Sequence, residues 1–160
     1  MRIFRTLLLL AFVLGFTATG QAQFQFGGGG TSTANFNQFG LQAKGQYTVD
    51  ETWRGAADFN YLFANVGSAW EINLNGHYQL TALEEGPKLY ALAGLSVYRY
   101  TVNLGTSIFG DLGRVGATDV GLNLGAGANM PLGNLTGYAE AKFAVGGAQF
   151  GLAVGVLFGN

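Results

Sequence analysis

Eight charged side chains recur inside alternating segments of this chain, and they hold most of its capacity for chemistry. Four are basic (Lys44, Arg54, Arg99, Lys142) and four are acidic (Asp58, Glu71, Asp119, Glu140). A balanced set can neutralise itself as ion pairs in an interior where an unpaired charge is expensive, or it can line a narrow water path. Nucleophilic catalysis asks for Ser, Thr or Cys beside a base that an acid orients. The single histidine, His77, has no serine close to it in its segment, and the chain has no cysteine. His77 is therefore read as a polar interior residue, not a catalytic base. The carboxylate pairs Asp50-Glu51 and Glu84-Glu85 fall in turn-like stretches and read as solvated charge. The Gly27–Gly30 run lacks the Lys-Ser/Thr and the following helix of a phosphate loop, so it reads as a small-residue strand. Without cysteine there is no disulfide or thiolate metal site, and no cofactor is implied.

The elements that must position these charges are strands. In Trp70–Leu80, Trp70, Ile72, Leu74, Gly76, Tyr78 and Leu80 take one face, and Glu71, Asn73, Asn75, His77 and Gln79 take the other. Side chains of a strand alternate with period 2, so this segment has one apolar and one polar face. The alternation predicts eight strands: Phe24–Thr33, Phe39–Val49, Thr52–Phe63, Ser68–Leu80, Lys88–Asn103, Thr118–Met130, Leu135–Val145 and Gln149–Phe158. Aromatics eight residues apart recur as Trp53 and Tyr61, Trp70 and Tyr78, and Tyr90 and Tyr98. Eight residues of a strand tilted by ~40° rise about 20 Å, close to the ~25 Å band between the aromatic girdles of a membrane barrel.

All eight strand charges are expected on the inward faces, where four against four permits a paired polar core. A lipid-facing Arg or Lys at mid-membrane would cost ~2–4 kcal/mol. Gly121, Gly125, Gly127, Gly151 and Gly155 leave one inner wall bare, and long inner residues are expected to fill the space over it. The fifth strand is ambiguous. The girdle spacing points Tyr90, Leu92, Gly94, Tyr98 and Tyr100 at lipid, but Ala91, Ala93, Leu95 and Val97 are apolar too.

Residues 1–22 read as a cleaved signal peptide: Arg2 and Arg5, the apolar run Leu7–Phe16, then Gly20-Gln21-Ala22 before Gln23. The run is too short for a spanning helix, which needs ~20 apolar residues. Residues 23–160 then form one barrel domain. The formal charge of −1 becomes −3 once Arg2 and Arg5 are removed, so no basic surface invites nucleic acid. Charged residues make up 11%, where about 25% is usual for soluble domains. Only helices and closed barrels satisfy every backbone hydrogen bond in lipid. An even strand number puts both ends on the periplasmic side and the long connection Leu104–Ala117 on the outside. Ile108, Phe109 and Leu112 in that connection are candidates for a surface contact, equally open to folding back over the barrel mouth.

The Tyr138-Ala139-Glu140-Ala141-Lys142-Phe143 segment and the closing Phe150–Phe158 segment, behind a signal peptide, resemble the small eight-stranded outer-membrane barrels of the OmpA and OmpX type. The resemblance covers the whole mature chain. It implies an all-β, eight-stranded antiparallel up-and-down transmembrane β-barrel in the outer membrane, monomeric, surrounded by lipid. It also implies insertion by the barrel-assembly machinery through a terminal aromatic. Here that aromatic is Phe158, followed by Gly159 and Asn160. The expected role is structural or surface-interacting, with a small porin-like passage as the alternative and an enzyme disfavoured. A soluble secreted barrel would hold its apolar face inside, against the girdle spacing and the low charge.

Overall fold

The computed structural model describes residues 23–34, 38–63, 67–81, 86–103, 106–107, 110–111, 114–146 and 149–159. The expected signal peptide and the loop residues Ile108, Phe109 and Leu112 lie outside the described residues. Among the described residues the strands are β1 (Phe24–Thr33), β2 (Gln38–Thr48), β3 (Trp53–Phe63), β4 (Ser68–Thr81), β5 (Lys88–Asn103), β6 (Thr106–Ser107), β7 (Gly110–Asp111), β8 (Arg114–Leu132), β9 (Leu135–Val145) and β10 (Gln149–Phe158).

Eight of them close into one antiparallel barrel in the order β1, β10, β9, β8, β5, β4, β3, β2. Each strand pairs with its sequence neighbours, and β1 pairs with β10, which removes the open edges of the sheet. The short strands β6 and β7 form a separate hairpin within the long connection. β8 begins four residues earlier than the alternation predicts, because Arg114 to Ala117 continue the ladder with β5 up to Asn103. Its pairing with β9 starts only at Leu122, opposite Val145.

The β2–β3 and β8–β9 turns, at the end that carries Gln23 and Gly159, are compact. Asp50 accepts from the backbone N–H groups of Thr52 (2.7 Å) and Trp53 (2.8 Å), which closes the β2–β3 turn through a side chain. Gly133 sits at φ +67 between β8 and β9, a left-handed conformation that glycine adopts without a Cβ clash.

The barrel is inverted relative to a soluble protein. Leu41, Phe59, Leu74, Leu122, Val154 and other large apolar side chains are exposed on its outer wall. Gln42, Lys44, Asp58, Asn60, Asn73, His77, Asn123, Glu140 and Lys142 are buried inside it. Aromatics pair along the outer wall: Trp53 meets Tyr78 edge-on at 5.1 Å, and Phe59 stacks on Trp70 at 6.5 Å. A water-soluble protein rarely leaves so large an apolar surface bare, whereas hydrocarbon around the wall removes the cost.

Candidate functional site: the polar core of the barrel

The core is built around two buried carboxylates. Asp58, from β3, accepts hydrogen bonds from Gln42 (3.1 Å), Asn60 (3.0 Å), Asn73 (2.7 Å) and Lys142 (3.0 Å). Glu140, from β9, takes the Lys44 ammonium and the Tyr90 hydroxyl (2.7 Å) on the same oxygen. The Tyr138 hydroxyl donates to Gln42 at 2.7 Å, and the Lys44 ammonium lies 4.7 Å from the centre of the Tyr138 ring. Asn60 also donates to Glu71 (2.8 Å), and Asn123 donates to Asn73 and Asn75. Six strands thus contribute to one network, with each ammonium set against a carboxylate. In a low-dielectric interior such pairing and hydrogen bonding offset part of the desolvation cost, and removing one member would leave its partner's charge uncompensated.

Two tyrosines fill the space over the glycine wall. Tyr90 is the direct cross-strand partner of Gly127, and Tyr138 is that of Gly155. A Cβ at Gly127 would stand 2.5 Å from the Tyr90 ring, and one at Gly155 would stand 2.5 Å from the Tyr138 hydroxyl. A ring laid over a bare glycine restores packing that the glycine alone would lose.

The free space on the two sides of this layer is unequal. At the end with the termini, a polar cavity of about 890 Å³ is lined by Gln25, Asp50, Arg54, Gln79, Lys88 and Asn129, among others. At the opposite end, a space of about 10 Å³ lies among Thr31, Glu71, Asn123 and Lys142. That volume is near the minimum for a single water.

The predicted charges divide into three groups. Lys44, Asp58, Glu140 and Lys142 are buried in the network. Glu71 and Arg54 are half-buried at its two ends, with Arg54 in the large cavity. Asp119 and Arg99 depart from expectation. Asp119 has the inward parity of β8, but it is exposed because β8 has no β9 partner at that height. Arg99 is on the outer face of β5, beside Trp70, and it is exposed. The cause is the orientation of the whole strand: Ala91, Ala93, Leu95 and Val97 face outward, while Tyr90, Leu92 and Ser96 are buried inside. The girdle spacing of Tyr90 and Tyr98 was misleading, since Tyr90 is only 1% exposed and serves the core.

His77 is buried and stacks on Tyr90 at 4.4 Å, with its Nε2 3.6 Å from Glu140. Neither ring nitrogen has a hydrogen-bond partner among the described residues, so no hydroxyl is set up as its nucleophile. No cluster of potential metal ligands occurs among the described residues. The role of Tyr90 was invisible in the period-2 pattern, because both faces of β5 are apolar. Its one trace in the sequence is the glycine-rich β8, which needs bulk from a neighbour.

With this geometry, the chain is similar to three solved barrels. The N-terminal β-barrel domain of Pseudomonas aeruginosa OprF superposes with a TM-score of 0.68 at 17% identity, covering 89% of this chain and all of that one. The chain has the fold of a small eight-stranded outer-membrane barrel. Ail, the attachment invasion locus protein of Yersinia pestis, gives 0.56 at 14% identity, over 87% of this chain and 97% of that one. Neisserial surface protein A gives 0.59 at 17%, over 86% and 94%. No protein-family model and no curated protein sequence matches the chain. At these identities the likeness extends to the eight-stranded barrel fold; it does not carry over the activities of those proteins.

Proposed function

We propose that this protein is a monomeric outer-membrane β-barrel, exported through a cleaved signal peptide, whose closed polar core makes it a scaffold for outer loops. The observation that carries the reading is the packed middle of the lumen. Two buried ion pairs, five buried amides and two tyrosines lie between the large cavity and the small one. An eight-stranded barrel is just wide enough for its own side chains to fill it. A structural or surface-contact role is supported by the names of two similar barrels, one an attachment invasion locus protein and the other a surface protein. No enzymatic activity is proposed.

The test is conductance of the refolded protein in a planar bilayer, with Lys44→Ala alongside. Folded wild-type protein is expected to give no stable steps. Stable steps that change in Lys44→Ala would overturn the closed-core reading in favour of a small passage for solutes.

The contact surface is proposed to include Ile108, Phe109 and Leu112. Replacing Phe109 and Leu112 with serine should leave the barrel folded and reduce adhesion of cells that display it. Unchanged adhesion would remove the loop from the reading. Phe158 is proposed as the aromatic that the assembly machinery engages.

A further inference from the structure

The cations of the lumen are not partnered alike. Lys44 and Lys142 each lie against a carboxylate. Arg54, half-buried on the inner face of β3, has no salt bridge or hydrogen bond among the described residues. Its direct cross-strand partners are Thr48 and His77, and neither is an anion. Arg54 instead lines the cavity of about 890 Å³ at the end with the termini. Asn129, on β8, lines the same cavity. It is only 4% exposed, and its Oδ1 has no hydrogen-bond partner among the described residues. In the barrel β4 and β5 separate β3 from β8, so the two groups stand on different walls of the cavity.

Several other lining groups are already engaged or solvated. Gln25 donates to the Thr136 hydroxyl (3.1 Å) and to the Gly159 carbonyl oxygen (3.2 Å). Asp50 is held by the backbone N–H groups of its own turn. Glu51 and Lys88 are exposed. A ligand that completes the site must bring anionic oxygens to one wall and a hydrogen-bond donor to another. A guanidinium fork takes both oxygens of a carboxylate. A buried amide oxygen without a donor costs free energy that a ligand N–H recovers. Sulfate brings acceptors only, and a polyamine brings donors only and meets a cation at Arg54. A peptide with a free C-terminus carries both groups on one short chain, and capture of a terminal carboxylate is a recurring mode of peptide recognition. The volume of the cavity falls within the range of small-ligand sites.

We propose that this mouth of the barrel binds the C-terminal end of a short peptide, with the peptide carboxylate on Arg54 and one of its N–H groups on Asn129. The inference rests on the membrane reading above, which makes this mouth the periplasmic one, and adds a ligand class to it. The mature protein is refolded into phosphatidylcholine nanodiscs and titrated separately with the tripeptide Gly-Gly-Ala, with its C-terminal amide and with acetate. Binding is followed by nuclear magnetic resonance through the backbone amide signals of Gly55 and Met130, which adjoin the two groups in sequence. Circular dichroism confirms that each variant keeps its strands.

Gly-Gly-Ala should bind about tenfold more tightly than either its amide or acetate. Arg54→Gln should bring the tripeptide down to the level of its amide, and Arg54→Lys should keep part of the preference. Asn129→Ala should bring the tripeptide down towards acetate. Arg99→Gln, on the outer wall, should leave binding unchanged. No binding to the folded wild-type protein, equal binding of the amide or of acetate, or an Arg54→Gln variant that behaves as wild type would overturn the proposal and leave the membrane barrel standing. Failure to insert into any disc would overturn both.

Discussion

Lys44 and Asp58 are direct partners across the β2–β3 ladder, yet neither forms its salt bridge with the other. Lys44 reaches Glu140, 96 residues on, and Asp58 takes Lys142, 84 residues on. Both bridges therefore cross the lumen to β9 and tie distant parts of the barrel together. Lys142→Met should cost about 3–5 kcal/mol, because it leaves a buried carboxylate without its cation. Asp58→Asn combined with Lys142→Met should cost less than the sum of the single changes, by about 0.5–3 kcal/mol. Urea unfolding of the protein in lipid vesicles gives all three values, and strict additivity would show that the bridge is uncoupled.

Tyr138 over Gly155 predicts a steric effect in the same core. Gly155→Ala puts a methyl group against the Tyr138 hydroxyl and the Gly28 carbonyl oxygen. Overpacking of this kind costs about 1–3 kcal/mol. Tyr138→Phe keeps the ring and loses the hydrogen bond to Gln42, at about 1 kcal/mol. The same unfolding measurement compares them, and a neutral Gly155→Ala would mean that the ring moves freely.

The Asp50 side chain reinforces the β2–β3 turn, in which the Val49 and Asp50 N–H groups also donate to the Trp53 carbonyl oxygen. Asp50→Ala removes the acceptor for two backbone N–H groups and should cost about 1 kcal/mol, since the turn is exposed. Asp50→Asn keeps a carbonyl oxygen in the same place and should recover much of that loss. Refolding yields and urea midpoints of the two variants test this, with equal losses counting against the turn role.

Phe158 packs against Phe26 on the outer wall at 6.2 Å between ring centres. Phe158→Ala should lower stability in vesicles by about 0.5–1.5 kcal/mol, the worth of an aromatic pair. The proposed engagement of Phe158 by the assembly machinery predicts a far larger loss of outer-membrane insertion in cells. Equal effects in the two settings would reduce Phe158 to a packing residue.

The orientation of β5 can be read directly with labels. A fluorophore at Val97→Cys should be quenched by a lipid-soluble quencher, and one at Ser96→Cys should be shielded from it. The reverse pattern would return Arg99 to the lumen.

All eight barrel strands were legible in the sequence, and the orientation of most of them followed from the separation of polar and apolar faces. Trp70–Leu80 and Leu41–Val49 show it most clearly, and their inward faces follow from parity alone. The inward placement of Lys44, Asp58, Glu140 and Lys142 came with that parity. Their pairing did not, because side chains of one strand can reach several others across a narrow lumen. β5 was different: both of its faces are apolar, so period 2 cannot orient it. Only the closed barrel decides, since turning Tyr90 inward gives its hydroxyl to Glu140 and lays its ring over Gly127. Once Tyr90 points in, the pleat forces Arg99, an odd number of residues away, to point out.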